Sequence, residues 1–153
     1  MPASGGEAKV IADLAHAPVG GVARYGWFPN GKEVTVACEE EGIIANFPIA
    51  GGDPRTVVRL KDLAMERISW LRWSPDGQFL AFEGGTGRAD MKLYVYQPDD
   101  AKLQRLSDDE IAPFYWSPDS KWISFFVTQP VKTRPEGVLW EMDVEEALAK
   151  VAK

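Results

Sequence analysis

Apolar and polar residues alternate in short runs along this chain, and the runs come round three times. After each of three tryptophans, Trp27, Trp73 and Trp116, apolar side chains recur two residues apart: Val34 and Val36, then Leu80 and Phe82, then Ile123 and Phe125. Strict alternation places one row of side chains on one face of a half-buried strand. A second set follows each of these, Ile44-Ala45-Asn46-Phe47, Leu93-Tyr94-Val95-Tyr96 and Leu139-Trp140-Glu141-Met142. A third set, Thr56-Val57-Val58-Arg59-Leu60 and Leu103-Gln104-Arg105-Leu106, closes the first two repeats, and Lys9 to Leu14 is a run of the same kind ahead of Trp27. Leu14 and Leu60 each precede the next repeat tryptophan by the same interval, so they mark the same strand. Helical spacing occurs only at the end, over 144–153.

The tryptophans open three versions of one turn: Trp27-Phe28-Pro29-Asn30-Gly31, Trp73-Ser74-Pro75-Asp76-Gly77 and Trp116-Ser117-Pro118-Asp119-Ser120. Pro presets φ at the first turn position, Asn or Asp bonds back to the nearby backbone, and Gly accepts a positive φ. Ser120 takes the glycine's place in the third copy, which predicts a strained turn or one of another type. A period in the forties is the mark of a repeat architecture. Lettering the strand before each turn A, the chain spells D, ABCD, ABCD, ABC. One domain, 1–153, is expected: a polar leader (1–8), an outer strand (9–14), units at 22–60, 68–106 and 113–143, and a helix (144–153). Trp27, Trp73 and Trp116 are expected to pack between successive units. Trp70, Trp122 and Trp140 fall outside that repeat position, and Trp140 shares a column with Tyr94 and Ala45.

The second copy, Trp-Ser-Pro-Asp-Gly followed by Phe79-Leu80-Ala81-Phe82 and Leu93-Tyr94-Val95-Tyr96, resembles the WD-like β-propeller repeat of TolB and the tricorn protease. It is more distantly similar to prolyl-oligopeptidase propellers. The resemblance implies an all-β fold of four-stranded antiparallel blades, three per chain. Closed propellers use about four to eight blades, and open ends would expose apolar faces. A homodimeric six-bladed ring is therefore expected, with the strand Lys9 to Leu14 added in trans to the partner's Leu139-to-Met142 edge. A piece of a longer chain is the alternative. For function, the resemblance implies a non-catalytic module binding a protein or peptide. Alternatively, it implies a substrate-gating piece of a tricorn-like or prolyl-oligopeptidase-like peptidase whose chemistry resides in another domain.

Composition narrows this further. The chain of 153 residues carries a formal charge of −6, with no cluster of Lys and Arg, which argues against a nucleic-acid surface. No apolar run approaches membrane-spanning length, and no signal-peptide core is visible. The reading is cytoplasmic as written, or periplasmic if an exported protein has been trimmed. Cys38 is the single cysteine and His16 the single histidine, too few for a zinc site, and no nucleophile elbow occurs. No catalytic residue, cofactor or metal is expected. Gly84-Gly85-Thr86-Gly87-Arg88 lacks the helix a phosphate cradle needs and reads as an exposed loop. The acidic runs Glu39-Glu40-Glu41 and Asp108-Asp109-Glu110 read as a solvated rim. Lys132, Arg134 and Glu136, in the longest loop, are candidate partner contacts.

Overall fold

The computed structural model describes residues 24–38, 41–108, 110–129 and 138–150. Its regular structure among the described residues is eleven strands, a 3-10 turn (Leu60–Leu63) and one short α-helix. The first sheet has the order β1 (Arg24–Trp27), β2 (Glu33–Cys38), β3 (Ile43–Pro48), β4 (Arg55–Arg59). The second is β5 (Arg67–Trp73), β6 (Leu80–Gly85), β7 (Lys92–Gln97), β8 (Lys102–Arg105). The third has three strands, β9 (Glu110–Trp116), β10 (Trp122–Gln129) and β11 (Leu139–Asp143), and α1 (Val144–Lys150) stands where a fourth strand would come. All pairings are antiparallel between sequence neighbours. These are propeller blades, called blades 1 to 3 below; the third has three strands among the described residues. The expected strand 9–14, His16, Glu39, Glu40, Asp109 and the contacts Lys132, Arg134 and Glu136 lie outside the described residues.

The register repeats from blade to blade. Trp27 pairs with Val34, Trp73 with Leu80 and Trp116 with Ile123. Across the next ladder Val36 meets Ala45, Phe82 meets Tyr94 and Phe125 meets Trp140. Side chains alternate between two faces, so each blade has a leading face, which carries the tryptophan, and a trailing face. Blade 2's leading face (Ile68, Leu71, Trp73, Leu80, Phe82) packs on blade 1's trailing face (Ala37, Ile44) in one core. Blade 3's leading face (Ile111, Phe114, Ile123, Phe125) packs on blade 2's trailing face (Ala81, Leu93, Val95) in the other, which Val144 of α1 completes.

The turn after each tryptophan is built the same way three times. A ladder bond closes it, from Phe28 N–H to Glu33 O, Ser74 N–H to Phe79 O and Ser117 N–H to Trp122 O. The carboxamide or carboxylate oxygen of Asn30, Asp76 or Asp119 accepts the N–H two residues on. The hydroxyls of Ser74 and Ser117 donate to Asp76 and Asp119 at 2.6 Å. Gly31, Gly77 and Ser120 all have positive φ, +64° at Ser120, so the serine does not change the turn type. It accepts the left-handed conformation and gains a partner: Oγ of Ser120 accepts Asp76 N–H from the preceding blade's turn at 3.1 Å.

Replacing Ser120 tests this balance. Ser120→Ala keeps the left-handed strain and loses the cross-blade bond, for an expected cost of about 1 kcal/mol or more. Ser120→Gly loses the same bond but relieves backbone strain of roughly 1 kcal/mol, so its urea midpoint should lie closer to wild type. Equal midpoints for the two variants would contradict the strain argument.

Candidate functional site

The first strands β1, β5 and β9 lie side by side, the place of the innermost strands around a propeller's channel. Across them runs a groove of about 600 Å³, lined by Arg24, Tyr25, Trp70, Arg72, Tyr115 and Trp116 among others. Two features set it apart from the blade cores. Trp70 sits at a register shift between Ser69 and Arg72, with φ +48° and its side chain exposed. A bulky residue in that region is strained, and such strain persists where the surroundings over-determine it. Next to it the Arg72 guanidinium stacks on Tyr115 of the following blade, 4.4 Å from the ring centre, a cation–π contact. Arg72 Nε is buried and has no hydrogen-bond partner among the described residues. An aromatic floor beside a guanidinium suits an anionic group attached to an apolar or planar one.

The repeat tryptophans do not all pack between blades. Trp73 does: its indole N–H donates to Thr35 Oγ1 of blade 1 at 2.6 Å, and Thr35 donates on to Asn46 Oδ1 at 2.7 Å. Trp116 also packs there, donating to the Arg72 carbonyl at 3.2 Å. Trp27 departs from the expectation, because among the described residues no blade precedes it. It is 59% exposed and Tyr25 71%, whereas Trp73 and Leu71, the same positions in blade 2, are 9% and 4% exposed. Val36 and Ala45, in the middle of that leading face, are buried. The opposite end of the arc is open in the complementary sense. On blade 3's trailing face Leu139 is 61% exposed, while its equivalents Ile44 and Leu93 are both at 0%.

The remaining sequence candidates are occupied by structure. In the glycine-rich stretch, Gly84 and Gly85 end β6, and the Asp90 carboxylate takes the Thr86 hydroxyl and N–H and the Gly87 N–H at 2.6–2.9 Å. The loop thus cradles its own anion. Asp108 pairs with Arg105 at 2.9 Å, and no group of acidic, His or Cys side chains among the described residues is arranged to hold a metal. Burial, with the charge of Glu41 adding to it, pushes the Cys38 thiol up, away from thiolate chemistry. No helix among the described residues is long and apolar enough to cross a membrane.

No protein-family model and no curated protein matches the sequence. Solved structures do match the fold. TolB from Acinetobacter baumannii aligns with 81% of the chain at 16% identity and a TM-score of 0.60. A protein of Agrobacterium tumefaciens assigned as TolB aligns with 82% at 23% identity and 0.61. The tricorn protease aligns with 81% at 20% identity and 0.53. The chain spans 30%, 45% and 13% of the length of those three chains, respectively. These likenesses establish the fold: the chain is an arc of three β-propeller blades. They include a protease beside the TolB structures, so the fold alone does not specify an activity.

The Asp90 clasp gives a pH-dependent readout. Hydrogen bonds, first from the Thr86 hydroxyl and then from its N–H, hold the Asp90 carboxyl below the usual carboxylate range. A lowered folded pKa means the clasp is intact above the unfolded value of about 3.9 and is lost as pH falls through the folded value. Amide-exchange protection of Thr86 and Gly87 should therefore hold from neutral pH down into the acid range and then fall. Asp90→Ala should remove that protection at every pH. Protection indifferent to Asp90→Ala would contradict the clasp.

Proposed function

We propose that this chain is a non-catalytic binding module of the TolB-like propeller type, which closes into a six-bladed ring with a second copy and takes a protein or peptide segment at its channel face. The observation that carries the binding reading is Trp70, held out of the β5 ladder in a left-handed backbone beside Arg72 and Tyr115. A carboxylate on the incoming segment pairs with the Arg72 guanidinium where it lines the groove, and an apolar or aromatic neighbour rests on Trp70 and Tyr115. In a chain of net charge −6, Arg24 and Arg72 give the groove a local sign opposite to the whole. The ring reading rests on the exposed Trp27 and Tyr25 of blade 1 and Leu139 of blade 3 and on β11, which pairs only with β10 among the described residues. The segment 9–14 is the proposed occupant of the partner's β11 edge, and deletion of residues 1–14 should weaken the dimer.

A second reading is favoured by the short span of the chain against its structural neighbours: a gating or docking piece of a tricorn-like or prolyl-oligopeptidase-like peptidase. It differs in predicting an arc that does not assemble with its own kind.

A random peptide array probed with the purified protein tests the binding reading. Peptides that pair an acidic residue with an aromatic or aliphatic one should be enriched. Losing a hydrogen bond to a charged group costs about 1.5–3 kcal/mol, so Arg72→Ala should weaken them tenfold or more. Trp70→Ala should weaken them as well. Selected peptides that ignore both substitutions would remove the groove from the account.

A further inference from the structure

The two open ends of the arc match each other at the level of single residues. In blade 1, the seat for the next blade's tryptophan is Thr35, relayed to Asn46 across the β2–β3 ladder. Blade 2 has Ala81 and Val95 at those positions, and Trp116 turns to a backbone carbonyl instead. Blade 3 restores the polar pair: Ser124 stands where Thr35 does, facing Glu141 across the β10–β11 ladder. Ser124 also holds its place in the repeat relative to Trp116, as Thr35 does relative to Trp27.

The aromatic neighbour of the seat is repeated too. Phe79 of blade 2 stacks on Trp116 of blade 3, and the residue at the same repeat position in blade 3 is Trp122, which is exposed. Trp122, Ser124 and Phe126 are alternate residues of β10 and share its trailing face, opposite buried Ile123, Phe125 and Val127. This face therefore holds a hydroxyl, Ser124, which donates to the Tyr115 carbonyl at 3.4 Å and keeps its oxygen for an incoming donor, with an indole beside it; Thr35 meets Trp73 and Phe79 meets Trp116 in those two ways. Trp27 is the repeat tryptophan whose indole is left exposed.

We infer that Trp27 of one copy seats on the Trp122–Ser124 face of a second copy, its indole N–H donating to Ser124 Oγ and its ring against Trp122, with Tyr25 and Leu139 buried at the same seam. The occupant is a second copy of this chain because the seam continues the blade-on-blade interface the chain already makes twice. That contact is heterologous, leading face onto trailing face, and such contacts form rings when the rotation closes. Two seams close a ring of two three-bladed arcs. The inference rests on the ring proposed above and adds the register in which the copies meet.

Both seat positions are accessible within one chain, so cysteines there leave its own blade packing alone, and Cys38 is buried. Trp27→Cys and Ser124→Cys chains are prepared separately, mixed, and treated with a short bismaleimide, alongside light scattering of the unmodified protein. The expected results are a solution mass twice the 16.9 kDa of the chain and a linked dimer in the mixture that neither variant forms alone. A dimer mass with no cross-link in the mixture overturns the seat while leaving the ring standing. A folded monomer by scattering overturns both.

Discussion

An indole set into the sheet before it holds the second and third blades of this molecule in place. Trp73 reaches Thr35 and, through it, Asn46, with all three side chains buried at the seam between blades 1 and 2. Truncating a buried tryptophan costs about 3–5 kcal/mol, a large share of the stability of a small domain. The rest follows from accommodating that ring. At the two seams, large apolar residues of the leading faces lie over small or hydroxyl-bearing positions of the trailing faces, among them Thr35, Ala37 and Ala81. The turns after the tryptophans pack on one another as well, with Gly77 against the Phe28 ring and Asp76 N–H on Ser120. A contact of this kind is directional. At the ends of the described arc it leaves the seat of Trp27 without a preceding blade and blade 3's trailing face without a following one, and Trp27, Tyr25 and Leu139 are exposed there.

The blade architecture was legible because it is local. Alternation of Leu80 with Phe82 and of Ile123 with Phe125, and the Pro-Asp turn before each pair, specify hairpins without reference to anything distant. The helical spacing that begins at Val144, where α1 starts, was legible for the same reason. What escaped the sequence lies between blades. Ser120 looks like a flaw in a glycine position until Asp76, 44 residues away, is seen to use its hydroxyl. Leu60 reads as the last residue of a strand, yet it begins a 3-10 helix, Leu60–Leu63, after giving its N–H to Gly42. Trp27 repeats the motif of Trp73 and has a different environment, because a motif does not say whether a neighbour is present.

The groove was less legible still. Trp70 stands out in sequence as a tryptophan off the repeat position, but its exposure depends on a backbone inversion that no local pattern announces. Arg72 aligns with Gly26 and Tyr115 in the other blades, and only the packing of β5 beside β9 places guanidinium over ring. Blade cores are built from columns that recur, whereas this groove is built from residues that do not. That asymmetry between blades is what gives a repeat fold a specific face.

The central claim is that the ends of the arc are satisfied by another copy of the chain, so that folding and assembly are linked. Ligation to a folded partner raises apparent stability by mass action, which makes the melting temperature depend on protein concentration. Thermal unfolding followed by tryptophan fluorescence over a wide concentration range is the most direct measurement. If the ends pair between copies, the midpoint rises steadily with concentration. A reversible transition whose midpoint does not move, in a well-folded protein, would contradict it and show that one arc is complete in itself.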